Sequence, residues 1–585
     1  MVCSQTSGNA NNKSAAAKPS TLQLRAADAA FRAGYAAFQR NDLTTAHAEF
    51  AKTVRLAPNL AAAHSAYGAV LLTEGDAVAA VRELETARKL DPNDQIALLN
   101  LAIAYSQLRE YPKSVAAFKL LTEPHATADP LNADAAIAYA TALSATSETA
   151  AAQHQIELAL RSFPDCAPLH DALGTLLAQQ QQYDVATVEL QRAIALESTL
   201  AAAHYHLGSI YLEQNNFPSA ITELTQAATL AKENTIYAVQ LGKALVAAHQ
   251  DDQAIAILRN ATLLAPSSID AKYQLAFALQ ASGNAKEAVP LFKQVVSARP
   301  EDADALTNLG LALVQTGDAK GAISYYERAL KLQLKSATLR ENLGVAYLQQ
   351  SDLDHAIEQF RAGLSIEPDN PQLHYDLGLA FKLKDNLVAA IPEFEQAETL
   401  DPNLPDPPYT LGVIYMQQGK FAEAQTQLEK ATALRADNGD AWALLGNVYR
   451  QSQQPDKAIA ALRQAITLQP DQPSPHISLA AILAQQGDTT GAAAERKIAA
   501  DLSRVAVSRQ RANFALDSGK LLLKRGQLAE AVAQLESAVA ADPNYPEPHL
   551  VLADALARQG KNAEAAIERQ KAKKLTPSPG KSSSQ

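Results

Sequence analysis

The sequence predicts an all-α protein built as a solenoid of about sixteen helix-turn-helix repeats. Three observations lead there. A Gly or another small residue recurs at Gly34, Gly68, Ala102, Ala140, Gly174, Gly208, Gly242, Ala276, Gly310, Gly344, Gly378, Gly412, Gly446, Ala480, Gly519 and Ala553, and thirteen of the fifteen intervals are 34 residues. Twelve residues further on stands Ala in fifteen of the sixteen copies, Ser114 being the exception, and an apolar residue usually follows four later. Pro closes many copies, as at Pro58, Pro92, Pro266, Pro300, Pro368, Pro402, Pro470 and Pro543.

With the Gly-equivalent numbered position 8 of each copy, positions 4, 7, 8 and 11 have the i, i+3, i+4, i+7 spacing of one helix face. In repeat 13 they are Trp442, Leu445, Gly446 and Tyr449. A turn signal follows at Gly75-Asp76, Gly283-Asn284, Gly317-Asp318, Gly419-Lys420 and Gly487-Asp488. A second amphipathic helix then carries the Ala at position 20 and an apolar residue at 24. Small residues at 8 and 20 let the two antiparallel helices approach closely. Pro at 32 cannot continue a helix and so ends the second one.

These residues identify the chain as resembling the tetratricopeptide repeat family, whose unit is a helix-turn-helix of 34 residues. The match runs from about residue 25 to 577, with Trp442, Leu445, Gly446, Tyr449, Ala458 and Pro470 as the fullest copy. The resemblance implies a right-handed superhelix with a concave inner wall. The shared residues are packing residues, so they describe the fold and say little of function.

Composition fits. A solenoid escapes the size limit of a single core, because each repeat buries its apolar face only against its neighbours. Hydrophobic content of 47% with only 5% aromatics suits many small, Ala-mediated helix contacts. No run approaches the roughly 18 apolar residues of a membrane span. The net charge of −11 argues against a nucleic-acid binder. It is unevenly placed: residues 491–585 hold 15 basic against 10 acidic residues, and residues 1–490 hold 36 against 52. Cys3 and Cys166 are too few for a disulfide framework or a zinc site.

Residues 1–24 read as a disordered polar tail without the apolar core of a secretory signal. The localisation expected by default is cytoplasmic, or periplasmic or secreted if an upstream signal is missing. Two departures from the 34-residue period divide the array: a spacing of 38 around Glu123–Asn132, and one of 39 around Leu502–Arg509. Position 24 is Arg496 at the second break and Arg569 in repeat 16, where a capping repeat needs no buried face. The expected organisation is repeats 1–3 over 25–126, repeats 4–14 over 127–504, a cap of repeats 15–16 over 505–577, and a disordered tail over 578–585.

No catalytic pattern stands out. Glycine-rich phosphate loops, nucleophile elbows and paired Cys motifs are missing from the sequence. His64, His170, His204, His374, His476 and His549 all occupy position 4, where repeat 13 has Trp442. They read as repeated packing residues, and neither a metal site, a cofactor nor an enzyme is expected.

Positions 2, 6, 9 and 13 of the first helix form a second stripe, the inner wall on the family resemblance. Position 6 of repeats 6–11 gives a polar ladder: His206, Gln240, Gln274, Asn308, Asn342 and Asp376. Position 9 of repeats 8–12 gives Phe277, Leu311, Val345, Leu379 and Val413, an apolar strip beside it. An Asn or Gln amide matches both the donor and the acceptor of a peptide backbone. Helices spaced about 10 Å apart correspond to roughly three residues of extended chain. Asn308-Leu309-Gly310 and Asn342-Leu343-Gly344 also resemble the asparagine ladder of O-GlcNAc transferases, which implies a backbone-binding mode; no catalytic domain follows here. The expected function is a protein-interaction scaffold that binds extended polypeptide in this groove. The alternatives are a substrate-recognition subunit serving a glycosyltransferase or other enzyme in trans, or a structural part of a cell-envelope assembly.

Overall fold

The computed structural model describes residues 20–122 and 131–575. Among these residues it contains 31 helices and no strand, arranged as consecutive antiparallel pairs. None of the helices is long and apolar enough to cross a membrane. Contacts divide the chain into two compact units, Met1–Ala312 and Leu313–Gln585, and the division falls within the helix Ala303–Gln315. Within each unit, successive first helices touch one another, whereas second helices pack against the first helices before and after them. First helices therefore form one wall and second helices the other.

Steric closeness shapes each pair. A Cβ added at Gly446 would stand 2.7 Å from Cγ of Leu462, and one at Gly378 would stand 2.8 Å from Phe394. The large residue at position 24 fills the space that position 8 leaves open. Position 20 is fully buried in consequence, as at Ala186, Ala322 and Ala458. Ser114, the one exception to Ala, is tolerated because its hydroxyl donates to the Ala102 carbonyl at 2.8 Å. The turn between the helices places position 15 at positive φ in all sixteen repeats, through glycines such as Gly317 (φ 86°) in seven and other residues such as Gln181 (φ 62°) in nine.

Position 4 ties each repeat to the one before. The ring nitrogens of His374 hydrogen-bond with Glu393, Nδ1 at 2.6 Å, and with the Pro368 carbonyl, Nε2 at 2.9 Å. The same pair of partners, Glu nineteen residues later and a carbonyl six residues earlier, recurs at His64, His170, His204 and His549. Trp442 substitutes for the imidazole by donating its indole N–H to the Ala436 carbonyl at 3.0 Å. The histidines are structural, and they do more than pack: each closes the end of the preceding repeat with a hydrogen bond. Tyr at position 11 adds a second tie, as Tyr415 and Tyr449 donate to Glu395 and Glu429 of the preceding second helix at 2.9 and 2.7 Å.

The expected boundaries meet a different arrangement. The tail read over residues 1–24 ends sooner, because a helix begins at Thr21 under a capping box of Ser20 and Gln23. The rest of that tail, residues 123–130 and residues 576–585 lie outside the described residues. Around 502–509 the chain is helical throughout: one 36-residue helix, Thr489–Lys524, joins the second helix of repeat 14 to the first helix of repeat 15. Arg509, within that stretch, pairs with the buried Asp542 and lies over the ring of Tyr545 at 4.1 Å.

Substitution of Gly446 by Ala is expected to destabilise the chain by about 1–3 kcal/mol, through overpacking against Leu462. Gly317→Ala, where the added methyl meets open space, is expected to cost only the left-handed backbone penalty of about 1 kcal/mol. Urea denaturation of the two variants checks both, and equal costs would contradict the steric account of position 8.

Candidate functional site

The first-helix wall carries every residue of the expected ladder, and the structure shows how each is held. In the first unit, His206 lies on the helix Ala201–Glu213 and its Nδ1 meets Asp171 at 2.7 Å and the Thr175 hydroxyl at 3.2 Å, both on the preceding first helix, Ala167–Gln179. Gln240 donates to Ser209 at 3.4 Å. Asn308 donates its amide to the Tyr273 hydroxyl at 2.9 Å. The pattern is regular: position 6 reaches back to position 5 or 9 of the repeat before it. Gln274, half-buried, has no side-chain hydrogen bond among the described residues, so its amide is free to pair with a ligand.

Three rungs are thus engaged within the protein, which differs from a ladder of free amides. Tyr273 takes one amide hydrogen of Asn308, which orients that amide and leaves its oxygen and second hydrogen outside this bond. The apolar strip is accessible beside it: Phe277 is 38% exposed and Leu311 is half-buried.

The wall deepens where the ladder stops. Ala172 occupies position 6 of repeat 5, and its small side chain leaves a cleft of about 560 Å³ between the first helices of repeats 4 to 6. Ile137, Thr141, Asp171, Thr175, Gln179 and His206 are among its lining residues. Reading the stripe from the sequence alone passes over Asp171 and Tyr273. The available signal was the 35-residue spacing from position 5 to the next position 6.

In the second unit the same spacing joins Glu341 to Asp376. Asn342 is half-buried and, like Gln274, makes no side-chain hydrogen bond among the described residues. Val345 and Leu379 are half-buried against the core of repeats 10–12. Asp376 is buried and accepts a hydrogen bond from Gln372 at 3.1 Å. Burial pushes its carboxyl up to about 7, helped by the negative charge of Glu341 and opposed by the Gln372 amide. Glu341 is raised as well, by burial first and then by Glu367. Asp376 is therefore a rung whose charge depends on pH, where the sequence suggested a plain polar one. Among the described residues, no group of His, Cys, Asp and Glu is placed to hold a metal ion.

Comparison with known families and structures gives the following. Family models for the tetratricopeptide repeat match residues 273–337, 409–473, 445–503 and 516–578, with further models of the same repeat at 71–128, 174–215, 201–234 and 346–385, together more than half of the chain. No curated protein matches. Among solved structures, a chain of the APC/C hetero-tetramer Cut9-Hcn1 is 16% identical, with 92% of this chain and 99% of that chain covered and a TM-score of 0.35. YrrB, a TPR protein with an unusual peptide-binding site, is 25% identical over 32% of this chain and 95% of its own, with a TM-score of 0.27. The MamA protein is 24% identical over 29% of this chain and 94% of its own, also with a TM-score of 0.27.

The proton on Asp376 gives a pH test. The folded chain holds it more tightly than the unfolded chain, so stability falls as pH rises from the ordinary 3.8 towards 7. Asp376→Asn is expected to raise stability at pH 8 by on the order of 2 kcal/mol and to change it little at pH 4. Denaturation curves at the two pH values check this, and a pH-independent effect would contradict it.

Proposed function

The chain belongs to the tetratricopeptide repeat family, and from that premise we propose that it is a non-catalytic protein-interaction scaffold that holds extended polypeptide along the first-helix wall of each unit. The family's repeats supply the scaffold; the particular residues of this copy supply the reading of its ligand. The observation that carries it is the pairing, in each unit, of a free amide with an apolar neighbour one helical turn away: Gln274 with Phe277, and Asn342 with Val345.

A peptide backbone in extended conformation presents a donor and an acceptor on each residue, and an amide side chain answers both at once. The neighbouring apolar residue takes the peptide side chain on that face. Asn308, oriented by Tyr273, adds a rung that needs little ordering on binding, which lowers the entropic cost of association. The cleft at Ala172 accommodates a larger side chain, with Ile137 and Leu176 as apolar lining and Thr141, Thr175 and Gln179 as polar partners.

This mode favours backbone contacts over side-chain readout, so a scaffold of this kind selects extended, unfolded segments more than a fixed sequence. Each lost amide contact is worth about 1 kcal/mol. Asn308→Ala combined with Asn342→Ala is therefore expected to weaken binding to an extended-peptide library by about 10- to 30-fold. Titration of the wild-type and doubly substituted chains with the same labelled peptides tests it, and unchanged affinity would sink the ladder.

A further inference from the structure

The long helix Thr489–Lys524 exposes a face that the other repeats cover. Position 3 of the first helix is buried at Ala63, Leu169, Leu339, Leu373 and Ala441, and position 10 is buried at Val70, Ile210, Ile414, Val448 and Ile482. What covers them is the second helix of the preceding repeat. Val70 shares a core cluster with Ala46 and Phe50, and Leu373 shares one with Ala356 and Phe360. Repeat 15 is different. Its position 3 is Phe514, 80% exposed, and its position 10 is Leu521, 49% exposed.

Continuity of the helix is the cause. The second helix of repeat 14 runs straight on into the first helix of repeat 15, so it cannot fold back to lie across Phe514 and Leu521. Val507, 48% exposed, stands seven residues before Phe514, as Phe514 stands seven before Leu521. A seven-residue step drifts only about 20° around a straight helix, so the three form one apolar stripe. A stripe with this period keeps to one helix face and supplies one of the two apolar positions of a helix-packing heptad.

Charge narrows the partner. Arg504, Arg511 and Arg525 are exposed along one flank of the stripe, Asp517 is on the other, and Arg504 is paired only with Asp501 of its own turn. The whole segment 491–585 is basic, with 15 Lys and Arg against 10 Asp and Glu. A second copy of the same stripe would bring a second set of arginines to the joint.

We propose that the Val507–Phe514–Leu521 stripe docks an acidic amphipathic helix of a partner protein, which takes the place that the preceding second helix holds in the other repeats. The occupant is a helix because a helix covers the same positions elsewhere in this chain. It carries an apolar stripe of matching period, and its Asp and Glu side chains face the arginine flank. This surface is separate from the first-helix groove, and it stands or falls without it.

The test uses the full chain and two synthetic helical peptides of the same length, each with Leu at seven-residue spacing, one flanked by Glu and the other by Lys. Fluorescence anisotropy is expected to show the Glu peptide binding about tenfold or more tighter than the Lys peptide. Phe514→Asp should weaken the Glu peptide by a similar factor, as loss of a central aromatic anchor does. Arg511→Glu should weaken the Glu peptide and strengthen the Lys peptide. Equal affinity for the two peptides, or a Phe514→Asp chain that binds as before, would overturn the proposal. So would sedimentation showing a dimer that Phe514→Asp dissociates, since the occupant would then be a second copy. Circular dichroism of Phe514→Asp controls for folding; a folded variant is expected because Phe514 lies on the surface, and if that variant fails, Leu521→Asp repeats the measurement.

Discussion

Everything in this chain depends on how closely the two helices of each repeat approach. Where position 8 is Gly, Leu or Phe at position 24 takes the space of its missing side chain, and a methyl at Gly378 or Gly446 would sit inside van der Waals contact; elsewhere the methyl is accommodated, as at Ala102 and Ala276, both fully buried. That approach buries the Ala at position 20 and fixes the angle at which one helix crosses the other. Angle and distance then set where the next repeat begins. Dispersion contacts are weak singly, so a geometry this tight is favourable only when the same fit is repeated down the array.

Repetition turns this local fit into a long-range register. A residue at position 5 meets a residue at position 6 of the following repeat, 35 residues on, and the chemistry of the pair decides what that part of the wall does. Asp171 with His206 is a hydrogen bond that closes the side of a cleft. Tyr273 with Asn308 is a hydrogen bond that orients an amide. Glu341 with Asp376 brings two acids near one another, and the charge of Glu341 adds to burial in raising the cost of ionising Asp376. The chemical character of the wall therefore lies in pairs that span two repeats, not in a single stripe of residues.

The fold was legible in the sequence because its determinants are small residues and prolines at fixed spacing, whose effect is steric and local. The ladder residues were legible as a stripe for the same reason. Their engagement was not, because the partners of His206 and Asn308 sit on another helix more than thirty residues away. The histidines at position 4 were read as packing residues, yet the carbonyl six residues back that His64, His170, His204, His374 and His549 meet becomes visible only when the preceding turn is in place. Nine of the sixteen turns adopt positive φ without glycine, so the turn is imposed by the packing of the two helices more than by its own residues. The helix across 502–509 had a readable sign: from Ala492 to Ser518 the chain contains neither Gly nor Pro, and five extra residues without a helix breaker extend a helix more readily than they form a loop.

The last three repeats leave two kinds of uncovered position, and the chain treats them differently. At position 24 of repeats 14 and 16, where no large apolar side chain is needed, Arg496 and Arg569 stand exposed in water. At positions 3 and 10 of repeat 15, which are equally uncovered, stand Phe514 and Leu521. Leaving a large apolar side chain in water forgoes about 1.5–3 kcal/mol that burial would supply. A segment whose only requirement was to end the array in solvent would gain by carrying polar residues at all four positions. The chain carries them at two and keeps an aromatic and an aliphatic residue at the others, in the register where a second helix belongs. The difference separates an end that is finished by charge from a joint that is complete only with another helix in place.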